Sequence, residues 1–141
     1  MKIVLDTSVL VAALRSRQGA SFALVRSVPN PRFQICLSVA VYTEWQAVLG
    51  RPEHWPPGAT ESVVMGFVRY LASTAHLQDV HFLWRPFLRD PDDDMVLECA
   101  VAAGCPYIVT HNVKDFRHTE QLGVQAITPH EFLQYLEEQQ P

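Results

Sequence analysis

The chain opens on a short β-branched run, Ile3-Val4-Leu5, closed by the polar Asp6, and apolar positions then recur at helical spacing from Val9 to Arg15. Ser8 is the expected cap of that helix, so the segment predicts strand, tight turn, helix. A second helix is predicted over residues 21–28. It must stop at Pro29-Asn30-Pro31, because proline lacks an amide hydrogen and clashes with the preceding turn. Residues 33–37 predict a buried strand, after which Ser38 caps a helix running to about Gly50.

Residues 51–58, RPEHWPPG, carry turn chemistry and predict a loop. Val63, Val64, Phe67, Val68, Leu71 and Ala75 recur at helical spacing within residues 60–76. A short strand is expected over residues 80–83, just before Trp84, Pro86 and Phe87 break the pattern. Asp90-Pro91 then opens a helix that lasts to Gly104, a glycine where helices commonly stop. Residues 107–110 and 123–127 predict two more strands, and Thr128-Pro129 starts a terminal helix through Leu136.

Strands that alternate with helices pair in parallel and carry helices on both faces. The expected fold is α/β: a three-layer α/β/α sandwich around a central parallel sheet of four or five strands. No repeat or linker divides the chain, so residues 1–141 are expected to form one domain. In such sheets ligands bind outside the carboxyl ends of the strands, which directs attention to residues that follow strands.

Composition sharpens this picture. With 141 residues, 48% of them hydrophobic, the chain can bury a real core and is neither disordered nor fibrous. Cys36, Cys99 and Cys105 form no CxxC pair and leave an odd thiol, which excludes a disulfide framework or zinc site and suits a reducing cytoplasm. Asp6, Thr7 and Ser8 interrupt the N-terminal apolar run, so no signal peptide is expected, and no stretch is long enough for a membrane span. The net charge of −4 argues against a generally basic, phosphate-binding surface.

Four acids stand near strand ends or helix starts: Asp6, Glu44, Asp94 and Asp115. Asp6 also suits a helix N-terminus, and Glu44 also suits a solvated helix face. Five of the fifteen acids fall between Asp90 and Glu98. Asp90 as cap, Pro91 in the first turn and Asp93 three residues on make an acidic capping arrangement, which leaves Asp94 unexplained. Carboxylates brought together repel unless a cation lies between them. Mg²⁺ or Mn²⁺ suits an all-oxygen donor set, whereas none of the six His or three Cys supplies zinc-ligand spacing.

With these residues placed, the sequence resembles the PIN-domain family, in particular the VapC-like toxins of toxin–antitoxin pairs. The matching pieces are Val4-Leu5-Asp6-Thr7-Ser8-Val9-Leu10, Glu44, Asp94 at the head of Met95-Val96-Leu97-Glu98-Cys99-Ala100, and Val109-Thr110-His111-Asn112-Val113-Lys114-Asp115-Phe116. The resemblance extends through Thr128-Pro129-His130-Glu131-Phe132. It implies that Asp6, Glu44, Asp94 and Asp115 hold Mg²⁺ or Mn²⁺ in a catalytic site, supported by hydroxyls at Ser8 and Thr110. Asn112 and Asp115 both stand where the family completes its acids, and Asp93 is close enough to replace Asp94. His111 stands where many relatives carry Arg, which makes a phosphate contact there weaker or dependent on pH.

The implied activity is hydrolysis of RNA phosphodiesters, with an antitoxin protein as partner and a homodimer as the assembly. Lys114 and Arg117 beside Asp115, and the pairs Arg15/Arg17 and Arg85/Arg89, are candidate phosphate contacts. Trp45, Trp55 and Trp84 could stack on bases or pack in the core. Residues 51–76, with Trp55, Phe67 and Tyr70, are the candidate partner surface. A PIN fold with a weak site, kept for binding RNA or a partner, and a PIN nuclease of RNA processing are the competing readings. The haloacid-dehalogenase pattern fails because Ser8 stands where its second Asp belongs, and no GxGxxG follows the first strand. Setting aside the four site acids and Asp90, Asp92 and Asp93 leaves eight acids against eleven bases, so the rest of the chain is mildly basic.

Overall fold

The structure, a computed structural model, describes residues 1–81 and 87–139. Among these residues five strands form one parallel sheet in the order β3-β2-β1-β4-β5. The strands are β1 (Lys2–Leu5), β2 (Gln34–Leu37), β3 (His76–Leu77), β4 (Tyr107–Val109) and β5 (Gln125–Ile127). The helices are α1 (Thr7–Arg15), α2 (Ala20–Arg26), α3 (Val39–Leu49), α4 (Glu61–Thr74), α5 (Pro91–Ala103) and α6 (Pro129–Glu138). The result is the expected α/β/α sandwich.

β1 occupies the middle of the sheet, with β2 on one side and β4 on the other. Ile3, Val4 and Leu5 are fully buried, as a strand covered on both faces requires. Its partners place Ile3 opposite both Ile35 and Tyr107, and Leu5 opposite Val109. The ends of β1 and β4 are therefore level, and Asp6 and Thr110 emerge side by side. α5 lies against β1, β2 and β4, while α3 packs on α1, α4 and α5.

Local chemistry accounts for most boundaries. Ser38 caps α3 by accepting from the Val41 amide, and Thr60 does the same for α4 from Val63. Asp90 accepts from the Asp92 amide at the head of α5, and Gly104 takes the left-handed conformation that ends it. Thr128 and Glu131 form a reciprocal capping box on α6. Cys36, Cys99 and Cys105 are buried free thiols.

Three expectations change. Ser8 does not cap α1: Asp6 holds the cap position, and the Ser8 hydroxyl donates to the Asp6 carboxylate instead. The helix of residues 60–76 ends earlier, since His76 and Leu77 pair with Cys36 and Leu37 as edge strand β3. The strand expected at 80–83 is not formed at Val80 and His81, while Phe82, Leu83, Trp84, Arg85 and Pro86 lie outside the described residues. Two 3-10 turns, Val113–Phe116 and Thr119–Leu122, carry the chain from β4 to β5 and have no apolar period to announce them.

The buried Phe132 fastens α6 to the sheet, its ring 5.4 Å edge-on from Phe33 and 6.2 Å from Tyr107. Phe132→Ala should therefore cost about 3–5 kcal/mol in urea unfolding. A loss under about 1 kcal/mol would mean that α6 is not packed as described.

Candidate active site

Asp6 anchors the site. Its amide donates to the Val109 carbonyl at 3.0 Å, continuing the β1–β4 ladder one residue past the strand. Only 8% of the residue is exposed, and one carboxylate oxygen, Oδ2, accepts from Ser8 Oγ at 2.7 Å and Thr110 Oγ1 at 2.8 Å. A carboxylate this buried needs such donors, because an unpaired one would be forced to neutralise. The same hydroxyls shape the next turn: Ser8 Oγ accepts from the His111 amide at 3.2 Å, and Thr110 Oγ1 from the Asn112 amide at 2.9 Å.

The head of α5 supplies the next acids, and it divides them. Asp93 is half-buried, its pKa pushed from the ordinary 3.8 up to about 7, first by burial and then by the charges of Asp6, Asp90, Asp115 and Asp92. Asp94, one residue and about 100° further around the helix, turns inward and is 2% exposed. Its Oδ1 accepts from the Leu88 amide at 2.8 Å and the Phe87 amide at 3.3 Å. Its Oδ2 is buried without a hydrogen-bond partner among the described residues. Asp94 thus tethers the segment before α5, while Asp93 is the acid of α5 whose pKa the charges of Asp6 and Asp115 help to raise.

Glu44 on α3 completes the acidic rim. Partial burial raises its pKa, helped by the charges of Asp92, Asp6 and Asp90 and opposed by Arg51. Asp115 sits on the exposed 3-10 turn after β4, its amide donating to the Asn112 carbonyl at 2.9 Å. Among the described residues no three His, Cys, Asp or Glu side chains are gathered closely enough to chelate one ion as they stand. The donors are nonetheless all oxygen, and the raised Asp93 marks a place where positive charge is favoured. That combination fits a hard cation that keeps much of its water.

Basic residues meet the acids on one side. Arg89, Lys114, Arg117 and His118 line a cleft of about 620 Å³ together with Phe87, Leu88 and Asp115. The Phe87 and Leu88 wall is the segment held by Asp94. Arg15 shares a shallow depression with Thr7, Ser8 and His111. Arg85 and Trp84 lie outside the described residues. Trp45 is fully buried and donates to the Leu5 carbonyl, so it offers no face for base stacking, and the half-buried Trp55 donates to the Leu49 carbonyl.

A second groove, of about 600 Å³, runs between α1, α2 and α4. Phe22, Val25, Phe67 and Tyr70 form its apolar floor, and Arg15, Arg17 and Arg26 its rim. Phe67 and Tyr70 belong to the stretch singled out as a partner surface, whereas α1 and α2 had no signal in sequence that would join them to it.

Comparison with known proteins places this arrangement. The sequence profile of the PIN domain matches residues 2–114. No curated protein matches the chain. A chain of VapBC-1 from nontypeable Haemophilus influenzae superposes with a TM-score of 0.63 at 16% identity, covering 92% of this chain and 99% of that one. A chain of VapBC2 from Rickettsia felis, bound to a promoter DNA fragment, gives 0.62 at 15% identity, covering 89% and 98%.

Asp93 makes a pH signature. Between pH 3.8 and about 7 the folded chain keeps a proton that the unfolded chain has lost, so this residue makes stability fall as pH rises through that window. Asp93→Asn should therefore gain melting temperature over wild type as pH climbs from about 4 to 8, in metal-free buffer. An offset independent of pH would refute the crowded acidic environment described here. Asp94→Ala should instead cost about 1–3 kcal/mol at neutral pH, because it removes the acceptor of the buried Leu88 amide.

Proposed function

The chain belongs to the PIN domain family, and on that premise we propose that it is a divalent-metal-dependent endoribonuclease, the toxin of a toxin–antitoxin pair. The observation that carries this reading is the buried Asp6 carboxylate, held by Ser8 and Thr110 at the end of β1, with Asp93 near enough that burial first, and then the charges of Asp6, Asp90, Asp115 and Asp92, raise its pKa. Asp6, Asp93, Asp115 and Glu44 would hold Mg²⁺ or Mn²⁺, with Asn112 beside them and Asp94 fixing the cleft wall. When bound, such an ion supplies positive charge for the phosphoryl oxygens and acidifies water for attack.

The chain's own residues do the positioning. Ser8 and Thr110 occupy Asp6 Oδ2 and so orient the carboxylate, leaving Oδ1 outside these hydrogen bonds. The cleft of Arg89, Lys114, Arg117 and His118 meets the acids at Asp115, so a single strand lying in it would bring a phosphodiester to them. Arg and Lys there would bind the backbone without reading bases.

An antitoxin would occupy the groove between α1, α2 and α4. Its apolar floor and arginine rim suit an amphipathic segment with acidic flanks. Both similar solved structures are VapBC assemblies, which supports a partner of this kind.

RNA cleavage should require Mg²⁺ or Mn²⁺ and stop with EDTA. Asp6→Asn and Asp93→Asn should each lower kcat at least about a hundredfold, while Asp94→Asn stays within about tenfold of wild type. Cleavage indifferent to EDTA and to Asp6→Asn would end this reading. Replacing Arg89, Lys114 and Arg117 by Ala should flatten the salt dependence of single-stranded RNA binding, by about 0.7 in log–log slope for each phosphate no longer neutralised. An unchanged slope would remove this cleft from the RNA path.

A further inference from the structure

One hydrogen bond near the acids joins elements that nothing in the sequence connects. Ser21 on α2 and His111 after β4 are 90 residues apart, yet Ser21 Oγ lies 2.6 Å from His111 Nε2. Ser21 is 2% exposed, and this is its side chain's hydrogen bond among the described residues. A buried hydroxyl without an acceptor is costly, so the Ser21 proton is best satisfied by pointing at Nε2. Nε2 is then the ring's acceptor, and the neutral imidazole carries its own proton on Nδ1.

His111 is thus held at two points. Its amide is fixed by Ser8 Oγ, the same hydroxyl that donates to Asp6, and its ring is fixed by Ser21. The residue is exposed and borders the depression formed with Thr7, Ser8 and Arg15. Through Ser8 Oγ the His111 amide is one hydrogen-bond step from the Asp6 carboxylate, so a strand that brings a phosphodiester to the acids would pass beside His111.

We infer that Ser21 is a positioning residue: it sets the His111 ring so that Nδ1–H donates to a phosphate oxygen of the RNA strand next to Asp6. The inference rests on the nuclease reading and adds a second point at which the strand is held. The fixed ring makes His111 a directed donor. The hydrogen bond is made equally to bound substrate and to the transition state, because it touches a phosphate other than the reacting one. Its loss should therefore raise KM and leave kcat alone.

The test uses a mixed-sequence single-stranded RNA and Mn²⁺, with wild type, Ser21→Ala, His111→Ala and the double variant. Ser21→Ala and His111→Ala should each raise KM about fivefold, with kcat within about twofold of wild type. The double variant should be no worse than His111→Ala, since Ser21 acts only through the ring. Ring ¹⁵N NMR should show the wild-type proton on Nδ1, with that preference lost in Ser21→Ala. An unchanged KM in Ser21→Ala, additive losses in the double variant, or a wild-type proton on Nε2 would overturn the assignment while leaving the nuclease intact. Wild type inactive on all RNA would overturn the nuclease reading and this inference together, even with the expected NMR tautomer.

Discussion

Everything at this site hangs on the two hydrogen bonds that Ser8 and Thr110 donate to a single oxygen of Asp6. A carboxylate at the edge of a buried strand survives there because donors surround it. Here the donors come from either side of one ladder: Ser8 from the first turn of α1, Thr110 from the residue after β4. Because β1 and β4 run parallel with Leu5 opposite Val109, both hydroxyls arrive at the same place. The same pair then accepts the His111 and Asn112 amides and so sets the path of the loop that carries Asp115.

The acidic head of α5 divides its labour by helical geometry. Asp90 closes the helix N-terminus, and Asp94 turns toward the Phe87 and Leu88 amides. Two adjacent acids on a helix point about 100° apart, so Asp93 and Asp94 cannot serve one centre equally. The inward Asp94 offsets the orphan amides of an irregular segment. Asp93 is half-buried near other acids, and burial first, then their charge, holds its proton firmly. The tethered segment forms a wall of the basic cleft, so Asp94 influences that cleft without standing among the acids.

Charge is segregated accordingly. A net charge of −4 describes neither the acidic centre nor its surroundings. Arg89, Lys114 and Arg117 line the cleft that contains Asp115, and Arg15, Arg17 and Arg26 rim the groove between α1, α2 and α4.

Periodicity and capping chemistry were enough to read the parallel α/β sandwich and most element ends, because helices and strands are set by local spacing, and Asp6 stood out because it directly ends an apolar strand. Three features lay beyond that reach. The role of Ser8 depended on a neighbour at Thr110 far along the chain, and its position beside a helix start suggested a cap. The choice between Asp93 and Asp94 depended on which face of α5 meets β1 and which meets the segment before it. The Ser21–His111 hydrogen bond and the groove between α1, α2 and α4 arise only when separate helices pack. Sequence spacing specifies which way a side chain points along its own element. What it meets there is a property of the other elements, and for this chain that meeting separates the buried tether Asp94 from the half-buried Asp93 beside it.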